Sequence, residues 1–486
     1  MVHNCEPIII QGGMGAGVSG WQLARAVSQA GQLGVVSGTA LDTILSRRLQ
    51  LGDPGGHMRR ALAQFPLPDM AERVLDRHFI RGGKSPDRPF RALPLLTQTP
   101  SQEQSELIVV ANFVEVFLAR DDHTGLVGIN YLEKIQTPTL PSLFGAMIAG
   151  VHYVLMGAGI PTSIPGAMDE LSVGNAVELS LKVEGADRGE TFSLRFDPCA
   201  FTRDQIPWME RPKFLPIVAS ATLATMLARK SNGPVDGFVV EGPTAGGHNA
   251  PPRGQMQLNQ RGEPIYGERD VVDLEAMRAL KLPFWLAGTF GSPEHLVRAL
   301  DAGAAGVQVG TAFAFCDESG LREDIKRRAV CLSRQGELDV LTDPVASPTG
   351  FPFKVLDFDC SLSDAQCYED RQRHCDLGYL RQAYKQPDGS LGWRCPAEQI
   401  DSYLRKGGDL DDTVGRKCIC NALLANVGLE QVRRGGELEM PLVTCGDDVK
   451  NIHRFLPDED AVSYSAGDVV RHLLSLVDAN KRALCG

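Results

Sequence analysis

The sequence repeats one unit, a short apolar run rich in Val and Ile that ends at Gly or a small polar residue and precedes a helical pattern. Runs without polar alternation are typical of parallel strands buried on both faces. Their alternation with helices indicates an α/β fold, and eight repeats indicate closure into a barrel. We predict a (β/α)8 TIM barrel with the strands Pro7–Gln11, Leu33–Ser37, Leu126–Asn130, Tyr153–Met156, Leu215–Ser220, Gly237–Glu241, Pro283–Ala287 and Gly306–Val309.

Two long segments interrupt this repeat. Segments 42–124 and 161–213 each follow a strand, so in a barrel they stand on the face where chemistry takes place. The first contains helical patterns, and the second contains two alternating stretches typical of a β-hairpin. The strand–helix alternation stops after Phe351. We therefore predict a barrel over residues 1–357 that carries both insertions, followed by a cysteine-rich domain over residues 358–486.

Composition and charge exclude several classes of protein. The chain of 486 residues is 43% apolar and 22% charged, which is ordinary for a globular protein. Its net charge of −11 argues against a nucleic-acid surface, which requires a basic patch. The sequence shows no signal-peptide pattern and no apolar run of about 18 residues. These features predict a cytoplasmic protein that binds neither nucleic acid nor membranes.

A glycine pair and a histidine follow the sixth predicted strand, in the segment DGFVVEGPTAGGHNAPPRG. Gly246 and Gly247 lack a Cβ, so their backbone N–H groups can approach an anion closely. His248 comes next and projects from the carboxyl end of the strand, where barrel enzymes place their catalytic groups. The motif alone is weak, because glycine pairs are common in loops and a single histidine is more often structural.

Two later turns have the same character. The segments FWLAGTFGS and GVQVGTAF follow the seventh and eighth strands and put small residues where the chain leaves the barrel. Loops after these two strands often bind phosphate in barrel proteins. The alternative is that the turns are tight only because the barrel requires it. The candidate phosphate-binding residues of these turns are Gly288, Gly291, Gly310 and Thr311.

Five motifs occur in a recognisable order, namely PIIIQGGMGAGVSGWQLARAVSQAGQLGVVSG, GINYLEK, EGPTAGGH, LAGTFGS and GVQVGTAF. Over residues 7 to roughly 357 the chain resembles the nitronate monooxygenase (2-nitropropane dioxygenase) family, whose members are FMN-dependent TIM barrels. The resemblance implies an FMN-dependent oxidoreductase, in a long form that carries an extra C-terminal domain.

The resemblance also implies roles for residues at matching positions. Gly13 and Met14 match a flavin-contacting turn, and Asn130 matches an asparagine that contacts the flavin. His248 matches the active-site histidine of the family. The residues that match its phosphate-binding backbone are Gly246, Gly247, Gly288, Gly310 and Thr311.

The implied reaction is oxidation of a small carbon acid or nitronate, with His248 binding or deprotonating this substrate beside the flavin. The same Gly-Gly-His turn also resembles FMN-dependent enoyl-thioester reductases of lipid or polyketide synthesis, in which electrons flow the other way. A flavin-binding subunit without activity is a third alternative. Use of NADH or NADPH and assembly into a homodimer stay open. Residues near the motifs that could either orient substrate or serve only structure are Glu241, Lys134, Asn249 and Arg253.

The cysteines of the C-terminal segment suggest a second site. In a reducing compartment, clustered thiols indicate metal ligands more than disulfides. An iron–sulfur cluster or zinc is one interpretation, and a cluster would make the protein an iron–sulfur flavoenzyme. The spacing lacks a C-x-x-C pair, and buried apolar thiols are the alternative. The candidate metal ligands are Cys360, Cys375, Cys395, Cys418 and Cys420.

Overall fold

The computed structural model describes residues 6–433 and 435–477. Eight parallel strands form one sheet, and each is followed along the chain by at least one helix before the next strand of this sheet. These strands are β1 (Ile9–Gln11), β2 (Gly34–Ser37), β3 (Val127–Leu132), β4 (Tyr153–Gly157), β8 (Lys213–Val218), β9 (Phe238–Glu241), β10 (Phe284–Ala287) and β11 (Gly306–Val309). The second insertion contains three further strands, which lie outside this sheet: β5 (Val177–Leu181), β6 (Val183–Glu184) and β7 (Phe192–Phe196).

The sheet closes into a barrel. Its strand order is β1-β11-β10-β9-β8-β4-β3-β2, and each neighbouring pair is parallel. A parallel bridge between Ile10 and Leu33 joins the two ends, and the Gln11 N–H donates to the Leu33 carbonyl at 2.9 Å. The predicted (β/α)8 TIM barrel is confirmed, because every buried apolar run pairs with its neighbours in sequence order.

The interior of the barrel is a packed core. Side chains from alternate strand positions form one apolar cluster that includes Val239 and Trp285. Trp285 is fully buried, and its Nε1–H donates to the Pro7 carbonyl at 2.7 Å. Burial of one large apolar side chain contributes about 1.5–3 kcal/mol, so this cluster is a main source of barrel stability. Its side chains also fill the barrel interior beneath the carboxyl ends of the strands.

Helices cover the outside of the barrel and form much of the first insertion. Their bounds are α1 (Trp21–Gln29), α2 (Leu41–Gln50), α3 (His57–Leu62), α4 (Pro68–His78), α5 (Gln102–Arg120), α6 (Thr139–Ile148), α7 (Ile164–Ser172), α8 (Pro198–Thr202), α9 (Ala221–Lys230), α10 (Leu274–Ala279), α11 (Pro293–Asp301), α12 (Thr311–Ala314), α13 (Glu323–Gln335), α14 (Ala365–Asp370), α15 (Ile400–Arg405), α16 (Ile419–Ala425) and α17 (Ala466–Leu473). Across residues 6–433 and 435–477, no helix combines the length and apolarity needed to cross a membrane.

The two insertions contain the elements that their patterns predict. In the first insertion, α5 begins with a capping box at Ser101 and is buried over most of its length. In the second, β5 (Val177–Leu181) pairs antiparallel with β7 (Phe192–Phe196), as expected for the hairpin. A two-residue strand β6 (Val183–Glu184) between them pairs with the C-terminal segment.

The C-terminal segment packs directly on the barrel. It contains the short strands β14 (Gln382–Lys385) and β15 (Leu391–Arg394), and the chain between the last barrel strand and this segment contains β12 (Val340–Asp343) and β13 (Phe353–Leu356). Leu362 and Leu442 belong to the same apolar cluster as α5, and Val443 belongs to a second cluster shared with barrel helices. Residues beyond 357 therefore help to form the walls around the carboxyl ends of the barrel strands.

Candidate active site

A cavity of about 200 Å³ lies at the carboxyl ends of the barrel strands. It is bounded by the turns after β1, β9, β10 and β11, by the end of β3, and by parts of the C-terminal segment. Gly291 of the predicted set does not line it. The predicted cofactor and catalytic residues that do line it are Gly13, Met14, Asn130, Gly246, Gly247, His248, Gly288, Gly310 and Thr311.

Two of the glycines are required by close approach of neighbouring chain. A Cβ at Gly13 would overlap the Cβ of Asn130, so this glycine lets the turn after β1 pack against the end of β3. Gly288 has φ of 99°, and a Cβ there would lie 2.8 Å from the Thr244 hydroxyl. Only glycine adopts this backbone without strain. The glycines therefore bring the turns together round the cavity.

Open backbone donors occur at one side of the cavity. The N–H groups of Gly288, Gly310 and Thr311 have no protein partner in the part of the chain that the structure describes. The N–H of Gly247 instead donates to Thr444 Oγ1 at 3.0 Å, and that of Gly291 donates to Asp448 Oδ2 at 3.0 Å. The Gly246 N–H likewise has no partner among the described residues. The six predicted phosphate-binding residues thus divide into four open donors and two residues whose N–H groups are already satisfied.

Residues 444–448 complete this side of the cavity, although they belong to none of the sequence motifs. The Gly446 N–H donates to Thr311 Oγ1 at 2.8 Å, and the Asp447 N–H donates to the Thr244 carbonyl at 3.1 Å. The segment thus ties the turns after β9 and β11 to a stretch of chain more than 130 residues away. No local signal in its sequence indicates this position.

Polar side chains line the top of the barrel interior. Asn130 Oδ1 and Gln308 Oε1 are buried and have no hydrogen-bond partner among the described residues. Ala287 pairs in register with both Glu241 and Gln308, so these two side chains lie on either side of it. A buried acceptor without a partner costs about 1–3 kcal/mol, which is typical of a ligand site and not of a core. Gln308 was not among the predicted site residues, although a polar residue in the apolar run GVQV is a usable signal.

Glu241 faces the same cavity. No hydrogen bond or ion pair is made by its carboxyl within residues 6–433 and 435–477. Burial raises the pKa of this carboxyl to about 8. The group is therefore mostly protonated at neutral pH, where it can donate a hydrogen bond as well as accept one.

His248 is held against residues 347–353, which follow strand β12. Its Nε2 lies 2.7 Å from Ser347 Oγ, and its ring contacts Phe353 edge-on at 4.8 Å between centroids. Burial, with a smaller contribution from the charge of Lys134, lowers the pKa of His248 to about 3. The imidazole is therefore uncharged at neutral pH. It is a hydrogen-bonding group and a weak base, unlike a histidine with an ordinary pKa.

The neighbouring polar residues have separate roles. The Lys134 Nζ donates to the Thr349 carbonyl at 3.2 Å and lies over the Phe351 ring, and burial lowers the pKa of this lysine to about 8. Asn249 Nδ2 donates to the Ala245 carbonyl at 3.0 Å and so braces the glycine turn. Arg253 bonds the Ala219 carbonyl at 3.3 Å and does not line the cavity.

Four of the five predicted cysteine ligands come together in what we call the thiol cluster, Cys375, Cys395, Cys418 and Cys420. The fifth, Cys360, is exposed and lies near Cys367 instead. No three His, Cys, Asp or Glu side chains in the described chain are placed to hold a metal ion. The prediction of an iron–sulfur cluster or zinc is therefore unsupported, because the thiols pack on one another and on Ala397.

Comparison with known proteins connects this geometry to one family. The family model described as nitronate monooxygenase matches residues 202–346, which include β8 to β11, His248 and the four open N–H donors. No curated protein matches the chain. The match confirms the resemblance predicted from the motifs and the prediction of an oxidoreductase enzyme.

Three solved structures show a distant likeness. FabK from Thermotoga maritima has 16% identity and a TM-score of 0.48, over 97% of this chain and 93% of that chain. Nitroalkane oxidase from Streptomyces ansochromogenes has 14% identity and a TM-score of 0.44, over 99% and 98%. The enoyl reductase domain of MlnA from Bacillus amyloliquefaciens has 10% identity and a TM-score of 0.48, over 99% and 96%. These likenesses are too distant to carry a functional argument.

Proposed function

We propose that this oxidoreductase, whose residues 202–346 match the nitronate monooxygenase family, binds FMN in the cavity at the carboxyl ends of its barrel strands and oxidises a small carbon acid or nitronate. One observation carries the proposal. Open backbone donors and unpartnered buried acceptors surround the same cavity. Such groups are stabilised only when a ligand supplies their partners.

The residues fit the two ends of FMN. The N–H groups of Gly288, Gly310 and Thr311 are suited to the phosphate, because backbone donors neutralise an anion without a side chain in the way. Asn130 Oδ1 and Gln308 Oε1 are suited to the flavin ring, which offers an N–H donor. When bound, FMN supplies the acceptor for the two electrons that the substrate loses.

His248 fits the role of a substrate-binding group. Its uncharged imidazole has one N–H group, which can donate a hydrogen bond to an oxygen of the substrate. A nitronate has already lost its carbon-bound proton, so its oxidation requires no strong base. The low pKa of His248 therefore favours a substrate that arrives ionised over one that the enzyme must deprotonate.

An enoyl-thioester reductase of lipid or polyketide synthesis is a second candidate. The observation in its favour is Glu241, which holds a proton at neutral pH beside the cavity. Reduction of a C=C bond consumes one hydride and one proton, and a buried acid can supply the latter. Anaerobic mixing separates the candidates. A nitronate reduces the bound flavin in the first case, whereas NADH or NADPH reduces it and an enoyl thioester reoxidises it in the second.

The absorption spectrum of the purified protein tests cofactor binding. We expect flavin bands near ~370 and ~450 nm, and release of FMN on denaturation. Asn130→Ala keeps the Cβ that packs on Gly13 but removes the unpartnered oxygen, so we expect FMN affinity to fall about tenfold. Asn451→Ala, at an exposed position outside the cavity, is the matched control. A protein that binds no FMN at any concentration tested would overturn the proposal.

A further inference from the structure

We propose that Glu241 is a hydrogen-bond donor to the cofactor and that FMN binds the form of the protein in which this carboxyl is protonated. The inference rests on the proposed function, since it concerns the same cavity. Through this side chain, pH would control the affinity for FMN. The phosphate-binding turns cannot provide such control, because backbone N–H groups do not titrate.

The position of Glu241 in the barrel supports this role. Val239, two residues earlier on β9, is part of the barrel core, and side chains alternate along a strand. Glu241 therefore points to the same side, one layer higher, where the core ends and the cavity begins. Its carboxyl has no protein partner in the described residues. A buried carboxyl without a partner is typical of a site that a ligand completes.

The neighbours of Glu241 supply buried acceptors. Asn130 and Gln308 each present an unpartnered amide oxygen, which is an acceptor, beside an NH2 group that can donate. The pyrimidine part of the flavin ring carries carbonyl and ring-nitrogen acceptors besides its single N–H. A ligand of this kind requires a donor near the two amide oxygens, and a protonated carboxyl is such a donor. If the carboxyl were ionised, its negative charge would face the lone pairs of the flavin acceptors in a buried site, which is unfavourable.

Other titratable groups near the cavity must be separated from Glu241. Those that line it are His248, Tyr131, Tyr379, Cys420, Cys445 and Asp448. The pKa of His248 is lowered to about 3, and burial raises the pKa values of the tyrosines and cysteines above their ordinary ranges. Burial also raises the pKa of Asp448 above its ordinary value of 3.8. Lys134, beside His248, has a pKa lowered to about 8 and titrates in the same range as Glu241.

The test is the pH dependence of FMN affinity, measured by quenching of flavin fluorescence on titration with apoprotein. For the wild-type protein we expect a nearly constant Kd near pH 7 and a rise of about tenfold per pH unit above pH 8, because only the protonated fraction binds. The FMN phosphate loses its second proton near pH ~6 and is fully ionised over this range. Glu241→Gln keeps a neutral donor at every pH, so its Kd should stay constant to about pH 9. Lys134→Gln and Asp448→Asn are controls that should keep the wild-type rise.

Each outcome decides the inference. A wild-type Kd that does not change with pH overturns it, and so does a Glu241→Gln variant that keeps the wild-type rise. If Glu241→Gln does not fold, Glu241→Ala replaces it and should show a Kd that is raised at all pH values and constant. Failure of the wild-type protein to bind FMN at any pH would instead contradict the proposed function itself.

Discussion

The rim of the barrel and the thiol cluster both bring together residue types that bind ligands, yet they differ in what surrounds those residues. At the rim, Asn130 and Gln308 have buried oxygens without partners and face a cavity. In the thiol cluster, Cys395 and Cys418 are buried against their neighbours, and Cys420 is the member that lines the cavity in the described residues. Proximity of suitable residues is therefore insufficient. A site also requires unused bonding capacity beside an open space.

The energetics explain why this difference is informative. A buried amide oxygen without a partner destabilises the folded chain by about 1–3 kcal/mol, so such atoms are rare unless a ligand satisfies them. A buried thiol behaves as a small apolar group and needs no partner. Four clustered cysteines are thus compatible with ordinary packing, whereas the polar groups at the rim are not.

The largest contrast between the two regions should be in turnover. We expect His248→Asn to lower kcat by about 10²-fold while FMN stays bound, because a hydrogen bond to the reacting substrate is lost. Cys395→Ser, in the thiol cluster, should leave kcat nearly unchanged. Steady-state kinetics with the flavin content of each variant measure both effects. Equal losses in the two variants would show that the thiol cluster takes part in the reaction.

Cofactor affinity should distinguish the regions next. We expect Gln308→Ala to raise the Kd for FMN about tenfold, because the buried acceptor is removed. Gln260→Ala, at an exposed position outside the cavity, is the matched control. Fluorescence titration gives both values. An unchanged Kd in Gln308→Ala would mean that the unpartnered Gln308 Oε1 atom does not contact the flavin ring.

Stability without cofactor should depend on pH through Glu241. The pKa of this carboxyl rises from 4.5 to about 8 on folding, so the folded state binds the proton more tightly. The free energy of unfolding therefore falls as pH rises from about 4.5 to about 8, and ionisation of Glu241 lowers it no further above that. In flavin-free protein we expect Glu241→Gln to raise Tm by about 3 °C at pH 8 and to have little effect near pH 4.5. Equal shifts at both pH values would point to packing and not to ionisation.

Metal should have the smallest effect. Since no metal-binding group was found in the described residues, we expect purified protein to contain no stoichiometric zinc or iron. A chelator should shift Tm by less than about 1 °C, because a ligand stabilises a protein only if the folded state binds it. Elemental analysis and thermal melts test this point. One equivalent of zinc or iron would restore the thiol cluster as a metal site.

The sequence alone determined the barrel and most of its rim. The apolar runs, their spacing and the glycines at their ends are local features, and a parallel barrel brings successive strand ends to one face. The sequence therefore predicts that Asn130 and His248 lie at the same face of the barrel as Gly288 and Gly310. The hairpin of the second insertion was likewise evident from alternation, and the first insertion contains helices as its patterns predict.

Tertiary structure decided the chemical state of these residues. The low pKa of His248 arises from burial under a loop whose Ser347 lies 99 residues further along the chain. The N–H groups of Gly247 and Gly291 donate to the side chains of Thr444 and Asp448 and are therefore not open. No sequence motif links these glycines to Thr444 or Asp448. Periodicity is a property of neighbours in sequence, whereas burial, hydrogen-bond partners and pKa depend on neighbours in space. The sequence could therefore predict where the site lies, but only the packing of distant segments determined which groups remain free to bind.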